Sequence, residues 1–570
     1  FTDSLVMYRY DRKGNKKRSP YYRGFKSQNR YVRACPYNHL ADATIGSINK
    51  ETGIGKSGLE AYYDDVLSGA DGRSQVAYAS RKGTRIITTA PIHGCDIYTT
   101  IDPELQRVAT NSLREVLETS NALYGTAILM EASTGRIVVI SNLKRLAEDP
   151  AYKERDNSAC IDFVEPGSTI KPVSMMIALD RGIVSPEQMV DVGNGVWEYG
   201  KRFVRDHNAN RGGYGTISYE EVMKYSSNVG IAKMIVGGFH DSPNDFRKAF
   251  LDLGFDELCC QEIPGAQKSG IKPVDTWDAT TLAWLSFGYV SRHPPINILS
   301  FYNAIANGGR YMRPYFVSEI RRRDSLTQHI EPKVLKEQIC KPETLQAIQE
   351  MLRRVVTEGT GKKARSAYVA ISGKSGTAQL SGKHGYRDSL GQVRHQVSFC
   401  AYFPSEAPRY SCIAVIRAPS ARYSAGGGVM AAPIIRRIAE SLVALEKPRP
   451  LDSLPRSASP LAYTRHIAAG RTEALLQLLE QLGLPAPQLG AKAPAYIRID
   501  SAARISALPL SAHDIPDLRG MSAMDAVYLL RSRGYRVQLV GAGNVVSQSI
   551  PAGTAAARGS EIVLQLGYEA

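Results

Sequence analysis

Three short motifs stand in one order along this chain: Ser168-Thr-Ile-Lys171, Ser226-Ser-Asn228 and Lys374-Ser-Gly-Thr377, the second and third beginning 58 and 206 residues after the first. Together they supply an acylable serine, an amine base one helical turn away, a hydroxyl for proton relay and a cation for a carboxylate. These are the parts of an acyl-transfer centre, and a chain that uses them together has to fold three distant segments against one cleft. Ser-x-x-Lys alone is not specific, because it recurs at Ser47/Lys50, Ser141/Lys144 and Ser269/Lys272. Order and context single out Ser168.

Ser168 follows Pro166-Gly167 and precedes the apolar run Val173, Met175, Met176, Ile177, Ala178 and Leu179. A Pro-Gly turn opening a helix puts Ser168 at the helix N-terminus, where free N–H groups and the dipole stabilise negative charge. At i and i+3, Ser168 and Lys171 share a helix face, so Lys171 can take the hydroxyl proton if its own pKa is lowered. Desolvation beside a second cation, for which Lys374 is the candidate, would lower it. Pro172 falls about one turn in, near the limit that a helix start tolerates.

The second motif lies between helix-like stretches around Tyr219 to Met223 and Ile231 to Val236, on a loop from which Ser226 and Asn228 can face one cleft. The same side chains also serve ordinary turn chemistry. The third, in Ile371-Ser-Gly-Lys-Ser-Gly-Thr-Ala-Gln379, reads as an exposed edge strand of small residues. Gly373 and Gly376 would let a ligand backbone approach, Lys374 offers charge, and Ser375 and Thr377 offer hydroxyls to a carboxylate. A phosphate-binding loop is excluded, since the Walker pattern needs a glycine where this chain has Tyr368.

The set resembles the penicillin-recognising serine acyltransferases, whose motifs are Ser-x-x-Lys, Ser-x-Asn and Lys-Thr/Ser-Gly. It is most similar to class B penicillin-binding proteins, the monofunctional peptidoglycan transpeptidases. Supporting segments are Glu165 to Pro172, Ala304-Ile-Ala-Asn-Gly-Gly309, Ser398-Phe-Cys-Ala-Tyr-Phe-Pro404 and, near the start, Gly58-Leu-Glu60 with Leu67 to Gly72. The resemblance implies that Ser168 attacks the penultimate D-alanine carbonyl of a stem peptide, with Lys171 as base. Ser226 would deliver the proton to the leaving amine, Asn228 would orient the donor, and backbone N–H groups of Ser168 and Thr377 would form the oxyanion hole. Lys374 and Thr377 would complete the catalytic set, and Ser375, Gly376, Thr377 and Gln379 would bind substrate, with the Ser375 and Thr377 hydroxyls holding the D-alanine carboxylate or its β-lactam mimic. No cofactor and no metal are implied. Tyr423-Ser-Ala-Gly-Gly-Gly428 is expected to border the cleft.

From Ile515 the chain reads as a cap and turn, a helix with apolar Ala523, Ala526, Val527 and Leu530, then short strands between Gly and Pro turns. It resembles a PASTA domain, which among class B proteins implies the septal, cell-division type. The expected fold is multidomain α+β. Residues 1–95 form a β-rich non-catalytic domain, and 96–445 a transpeptidase domain related to serine β-lactamases, with an antiparallel sheet flanked by helices. Residues 446–510 are a linker with a helical segment over Arg471 to Leu484, and 511–570 the PASTA module. Gly125 to Gly135 with Arg136 to Ser141 reads as a hairpin of the catalytic sheet, and Glu446 to Pro455 as a linker by composition.

The length fits three or four domains, and 43% hydrophobic content argues against disorder. No run reaches the roughly 18 apolar residues of a membrane span. The chain begins at Phe1 rather than Met, and the resemblance implies a cytoplasmic tail, a single-pass membrane anchor and part of the N-terminal domain upstream, placing the catalytic domain in the periplasm of an inner-membrane protein. Between Arg9 and Arg33 stand ten basic residues against the one acid Asp11, with Tyr10, Tyr21, Tyr22 and Tyr31 among them. Near an anchor such a segment suits anionic lipid headgroups. No nucleic-acid signature accompanies it, so nucleic acid is not expected as a partner.

Eight cysteines without Cys-x-x-Cys and ten histidines without His-Glu-x-x-His point away from metal or dithiol catalysis. Cys160, Cys259, Cys260 and Cys400 are read as packing residues. The implied partners are donor and acceptor stem peptides, β-lactams, and division proteins including a separate glycosyltransferase. A β-lactamase or β-lactam sensor is the competing enzyme class. A silent cell-wall-binding scaffold is the non-enzymatic one, and the intact Ser168/Lys171/Ser226/Asn228/Lys374 set argues against it.

Overall fold

The computed structural model describes residues 8–10, 13, 15–18, 34–37, 39–78, 83–323, 325–380, 393–419, 426–446, 469–481, 494–499, 505–508, 510 and 514–567. Most of the basic, tyrosine-rich stretch, the linker from 447 to 468, residues 423–425 of the expected cleft border and the end of the Arg471 to Leu484 helix lie outside them. The chain divides into two compact units, 1–443 and 444–570. Among the described residues no helix is long and apolar enough to cross a membrane.

The first unit is built on an antiparallel sheet of six strands: β1 (Tyr124–Glu131), β2 (Ile137–Lys144), β3 (Lys153–Glu154), β4 (Ser372–Gln379), β5 (His395–Phe403) and β6 (Tyr410–Arg417), in the order β3-β2-β1-β6-β5-β4. The expected hairpin is β1–β2, with Ala127 opposite Ser141 and Ile128 opposite Ile140. The strands are apolar on both faces because helices cover both. Alternation with period two sends Ala127, Leu129, Phe399, Ala401, Ala414 and Ile416 to one side. There they pack on Leu113 and Leu117 of α1 (Pro103–Ser120) and, late in the chain, on Ile434, Ile435 and Ile438. Ile128, Met130, Cys400, Tyr402, Ile413 and Val415 face the other side. They meet α2 (Lys171–Asp180), α3 (Tyr219–Tyr225), α4 (Asn228–Phe239), α5 (Pro295–Ala306) and α6 (Pro342–Thr357) across one core with Val173, Val222, Ile231, Phe301 and Leu352.

Asp96–Thr99 pairs with Val317–Arg322, which ties the end of the N-terminal segment to a strand more than two hundred residues on. The hairpin Arg73–Tyr78 with Gly83–Thr89 and the short strands Ser47–Ile48 and Gly55–Ser57 agree with a β-rich start. Cys160, Cys259, Cys260 and Cys400 are all buried and free.

In the second unit Ser522 caps α7 (Ala523–Ser532) by accepting from the Asp525 N–H. Strands β7 (Arg536–Gly541), β8 (Asn544–Gln548) and β9 (Glu561–Gly567) form a sheet with β9 central, parallel to β7 and antiparallel to β8. Ala526, Leu529 and Leu530 are the buried face of α7, so Leu529 joins the expected stripe while Ala523 and Val527 flank it. The expected linker 446–510 differs more. Its described part holds the helix Thr472–Gln481 and three antiparallel strands, Ala469–Arg471, Tyr496–Ile499 and Ile505–Ala507. Ala469, Tyr496 and Leu508 share one core with Leu518, Met521 and Leu530, so this stretch packs on the module that follows it. Its Pro- and Ala-rich composition concealed strands of only three or four residues.

Candidate active site

The turn carrying the nucleophile is tighter than an α-helix. Gly167–Ile170 is a 3-10 turn, and α2 starts at Lys171, whose N–H donates to the Ser168 carbonyl. In a 3-10 turn, side chains at i and i+3 eclipse, which sets Lys171 over Ser168 more directly than an α-helix would. Pro172 becomes the second residue of α2, where its missing N–H costs nothing. Ser168 is half-buried and Lys171 fully buried.

This turn lies flat against β4. Gly167 has φ +57°, and a Cβ there would stand 2.8 Å from the Thr377 carbonyl oxygen. A Cβ on Gly376 would meet Ser398 Oγ at 2.4 Å, Thr169 Cγ2 at 2.8 Å and the Pro166 carbonyl at 3.0 Å. The two glycines let the turn and the strand touch. Gly376 therefore makes room for the protein's own chain, a different reason from the ligand approach that the sequence suggested, and Gly373 is crowded by Cys400 and Ala401 of β5. β4 is an edge strand as expected. It is not an exposed one: Ser372 to Gly376 and Ala378 are buried, and Thr377 and Gln379 are exposed.

Register sorts the third motif. Lys374 pairs with Cys400 and so shares the side of the sheet on which α2 packs, while Ser375 and Thr377 pair with Phe399 and Val397 of the opposite face. Lys374 is fully buried and its Nζ donates to the Ser375 carbonyl at 3.2 Å. Ser375 Oγ lies 2.9 Å from Thr360 Oγ1, Thr377 Oγ1 accepts from the Gly427 N–H, and the Gln379 N–H donates to the Tyr289 hydroxyl.

The second motif is a junction two residues long rather than a loop. Ser226 closes α3 and Ser227 caps α4, whose first residue is Asn228. Ser226 sits at φ 60°, a left-handed conformation that a side chain seldom adopts. In that conformation its carbonyl accepts from Lys171 Nζ at 2.5 Å, and its Oγ lies 3.1 Å from the same amine. Asn228 Nδ2 donates to the Arg205 carbonyl at 2.7 Å, and its Oδ1 accepts no bond from the described residues. Burial pushes the Lys171 ammonium down to about 7, against a smaller opposing pull from Asp206. It pushes Lys374 down as well, helped by the charge of Lys171. The arrangement therefore places, one 3-10 turn from Ser168, a buried amine whose pKa is lowered towards neutrality.

Several contributors carry no sequence signal. Asp206 follows the strand Arg202–Arg205 and accepts from the Ser227 hydroxyl at 2.7 Å and from the N–H groups of Asn228 and Val229 at 2.5 and 3.0 Å. His207 is pulled below its ordinary pKa by burial, then by Lys171 and, more weakly, by Lys374. Its ring lies 3.1 Å from the Tyr214 hydroxyl, and Tyr214 stacks on Tyr225. These residues arrive through a hairpin whose position no local pattern announces. For a metal, the group among the described residues whose donor atoms converge is Cys35, His39 and Asp42, all within 4.8 Å of one another. It belongs to the N-terminal segment and to none of the three motifs.

A half-buried serine, a buried amine one turn further along the chain and a third motif on the edge strand of a two-sided antiparallel sheet define the active-serine, penicillin-recognising class of proteins. Residues 125–440, more than half of the chain, match the penicillin binding protein transpeptidase domain. The chain belongs to that family and is a transpeptidase. Residues 13–99 match the penicillin-binding protein dimerisation domain and 513–568 the PASTA domain. Among curated proteins it is similar to a peptidoglycan D,D-transpeptidase FtsI homolog of Mesostigma viride, 27% identical over 72% of each chain. Penicillin-binding protein PbpB of Mycolicibacterium smegmatis is 26% identical over 73% of this chain and 65% of its own length. Stage V sporulation protein D of Bacillus subtilis is 28% identical over 71% and 63%. In fold the chain resembles penicillin binding protein 3 of Mycobacterium tuberculosis complexed with aztreonam, with TM-score 0.61 and 24% identity over 73% of this chain and 90% of that one.

Proposed function

We propose that this transpeptidase cross-links peptidoglycan through an ester on Ser168. Lys171 accepts the Ser168 proton as Oγ attacks the penultimate D-alanine carbonyl of a donor stem peptide. The Ser168 and Thr377 N–H groups hold the oxyanion, a stabilisation typically worth about 3 kcal/mol per donor. As the C–N bond breaks, Ser226 passes the proton from Lys171 to the departing D-alanine amine. An acceptor amine then attacks the ester, regenerates Ser168 and leaves a new amide. Asn228 Oδ1 orients the donor backbone, Lys374 balances charge beneath the site, and the Ser375 and Thr377 hydroxyls take the terminal carboxylate, with Gly376 and Gln379 completing the strand that the peptide lies along. The observation that carries this reading is Lys171: buried, near-neutral in pKa, bonded to Ser226 and one 3-10 turn from Ser168.

A β-lactam closes the same ester and blocks it. The PASTA module and the names of the relatives support a septal role with division proteins and a separate glycosyltransferase. A single-pass anchor upstream of Phe1 would hold the protein in the inner membrane with its catalytic unit in the periplasm. Protease added to spheroplasts should then degrade the full-length protein, and protection would sink that topology.

Intact mass spectrometry after incubation with benzylpenicillin tests the chemistry. A single adduct that lasts for hours in wild type and is absent in Ser168→Ala is expected. Rapid loss of adduct with hydrolysed drug would make the protein a β-lactamase, and an adduct on Ser168→Ala would overturn the site.

A further inference from the structure

We propose that Asp206 is a positioning residue for the transpeptidase reaction: it holds the Ser226–Asn228 junction in place and supplies a negative charge close to the buried Lys171. The inference rests on the reading of Ser168 and Lys171 as nucleophile and base.

The junction needs an external tether. Two residues separate α3 from α4, Ser226 is held in a left-handed conformation, and both its carbonyl and its hydroxyl must meet Lys171. The Asp206 carboxylate, 4% exposed, receives the first two N–H groups of α4 on Oδ1 and the Ser227 hydroxyl on Oδ2. A carboxylate at a helix N-terminus is favoured by the dipole and by charge-assisted bonds. Its neighbour Arg205 adds a fourth tie through the Asn228 amide. The hairpin end and the α4 start are therefore tied together, and Ser226 keeps its position against Lys171.

The second task is electrostatic. The groups around the base are Lys374 from β4, His207 and Asp206 from the hairpin end, and Ser226 from the junction. Of these, Lys374 and His207 are both held towards neutrality, by burial first and then by the charge of Lys171. Asp206 is the group whose charge raises the Lys171 pKa against burial. Without it Lys171 would stay neutral to lower pH while becoming a weaker base for the serine proton.

The test is the acylation rate with nitrocefin, by stopped flow, from mildly acid to alkaline pH. Wild type should show an acid limb near 7. Asp206→Asn, which keeps the shape and removes the charge, should lower the plateau by about tenfold or more and displace the limb to lower pH by about one unit. Ser227→Ala removes one tie and keeps the charge, so its plateau should fall with the limb unmoved. An Asp206→Asn limb at the wild-type pH, or a Ser227→Ala limb displaced as far, overturns the inference. If circular dichroism shows Asp206→Asn unfolded, Asp206→Ser carries the same expectation and the same refutation. Absence of a wild-type adduct on Ser168 would instead sink the underlying reading.

Discussion

The catalytic unit and the C-terminal unit treat buried polarity in opposite ways. The first encloses Lys171, Lys374 and Asp206 and a glutamate carboxyl, that of Glu154, in or beside its core. The second has a wholly apolar core of residues such as Tyr496, Leu518, Leu530 and Leu564, with Thr472 its one buried polar residue among those described. Its chief charge cluster, Arg498–Asp517–Arg519, stays partly exposed. Burying ionisable groups costs stability that apolar residues of the same volume would not. The C-terminal residues are explained by packing alone, whereas the catalytic unit keeps groups that its fold does not require, and Lys171, Lys374 and Asp206 among them mark the chemistry.

Lys171→Met should sharpen that contrast most. It replaces a dehydrated amine by an apolar chain of similar length, so acylation by benzylpenicillin should fall by about a thousandfold while the melting temperature holds or rises. Retained acylation or a lowered melting point would break the contrast.

The pH response of the wild type comes next. Acylation should drop about tenfold per unit below pH 7 as Lys171 takes up its proton. Stability runs the same way by linkage. The folded chain binds this proton more weakly than the unfolded one, so the stability contribution rises with pH between about 7 and the ordinary lysine range. A flat rate profile across neutrality would mean that the base is another group.

Glu154 gives the converse. Its buried carboxyl accepts from the Asn142 N–H and the Ser141 hydroxyl, and burial raises it to about 8, with a small contribution from Asp42. The folded state binds this proton more tightly than the unfolded state does, so its stability contribution is full below the ordinary carboxylate range and fades as pH rises to about 8. Glu154→Gln should therefore raise the melting temperature by a few degrees at alkaline pH and leave acylation unaltered. An equal or lower alkaline melting point would show that the carboxyl ionises at little cost.

The smallest effect belongs to the C-terminal unit. The Arg519 and Arg498 guanidiniums hold Asp517 well below the usual carboxylate range. Because the folded pKa is depressed, the contribution is present at neutral pH and lost on acidification. At this exposure Asp517→Asn should cost about 1 kcal/mol or less, and added salt should shrink the difference in a urea melt. A larger, salt-insensitive loss would mean that this unit also depends on a buried charge.

Much of the site was legible because its chemistry is local. Ser168 and Lys171 are three residues apart, the Pro-Gly turn announces a helix start, and the alternation of β1 and β2 and the apolar stripe of α7 follow from side-chain periods. Harder to read were features in which two distant segments define each other. The reason for Gly376 is the turn at Pro166 to Thr169, and the reason for the left-handed Ser226 is a lysine on another helix. The short strands at 469–471 and 496–499 are recognisable only once paired.

The sequence by itself determined which reacting groups this protein owns, their order, and the helix, edge strand and terminal module that carry them, because motif chemistry and periodicity act within a few residues. Tertiary structure alone decided their state: that Lys171 is dry and near-neutral, that Lys374 and the Ser375 and Thr377 hydroxyls face opposite sides of β4, and that Asp206 ties the second motif down. Burial, register and charge pairing are properties of segments brought together, and no single stretch of chain contains them.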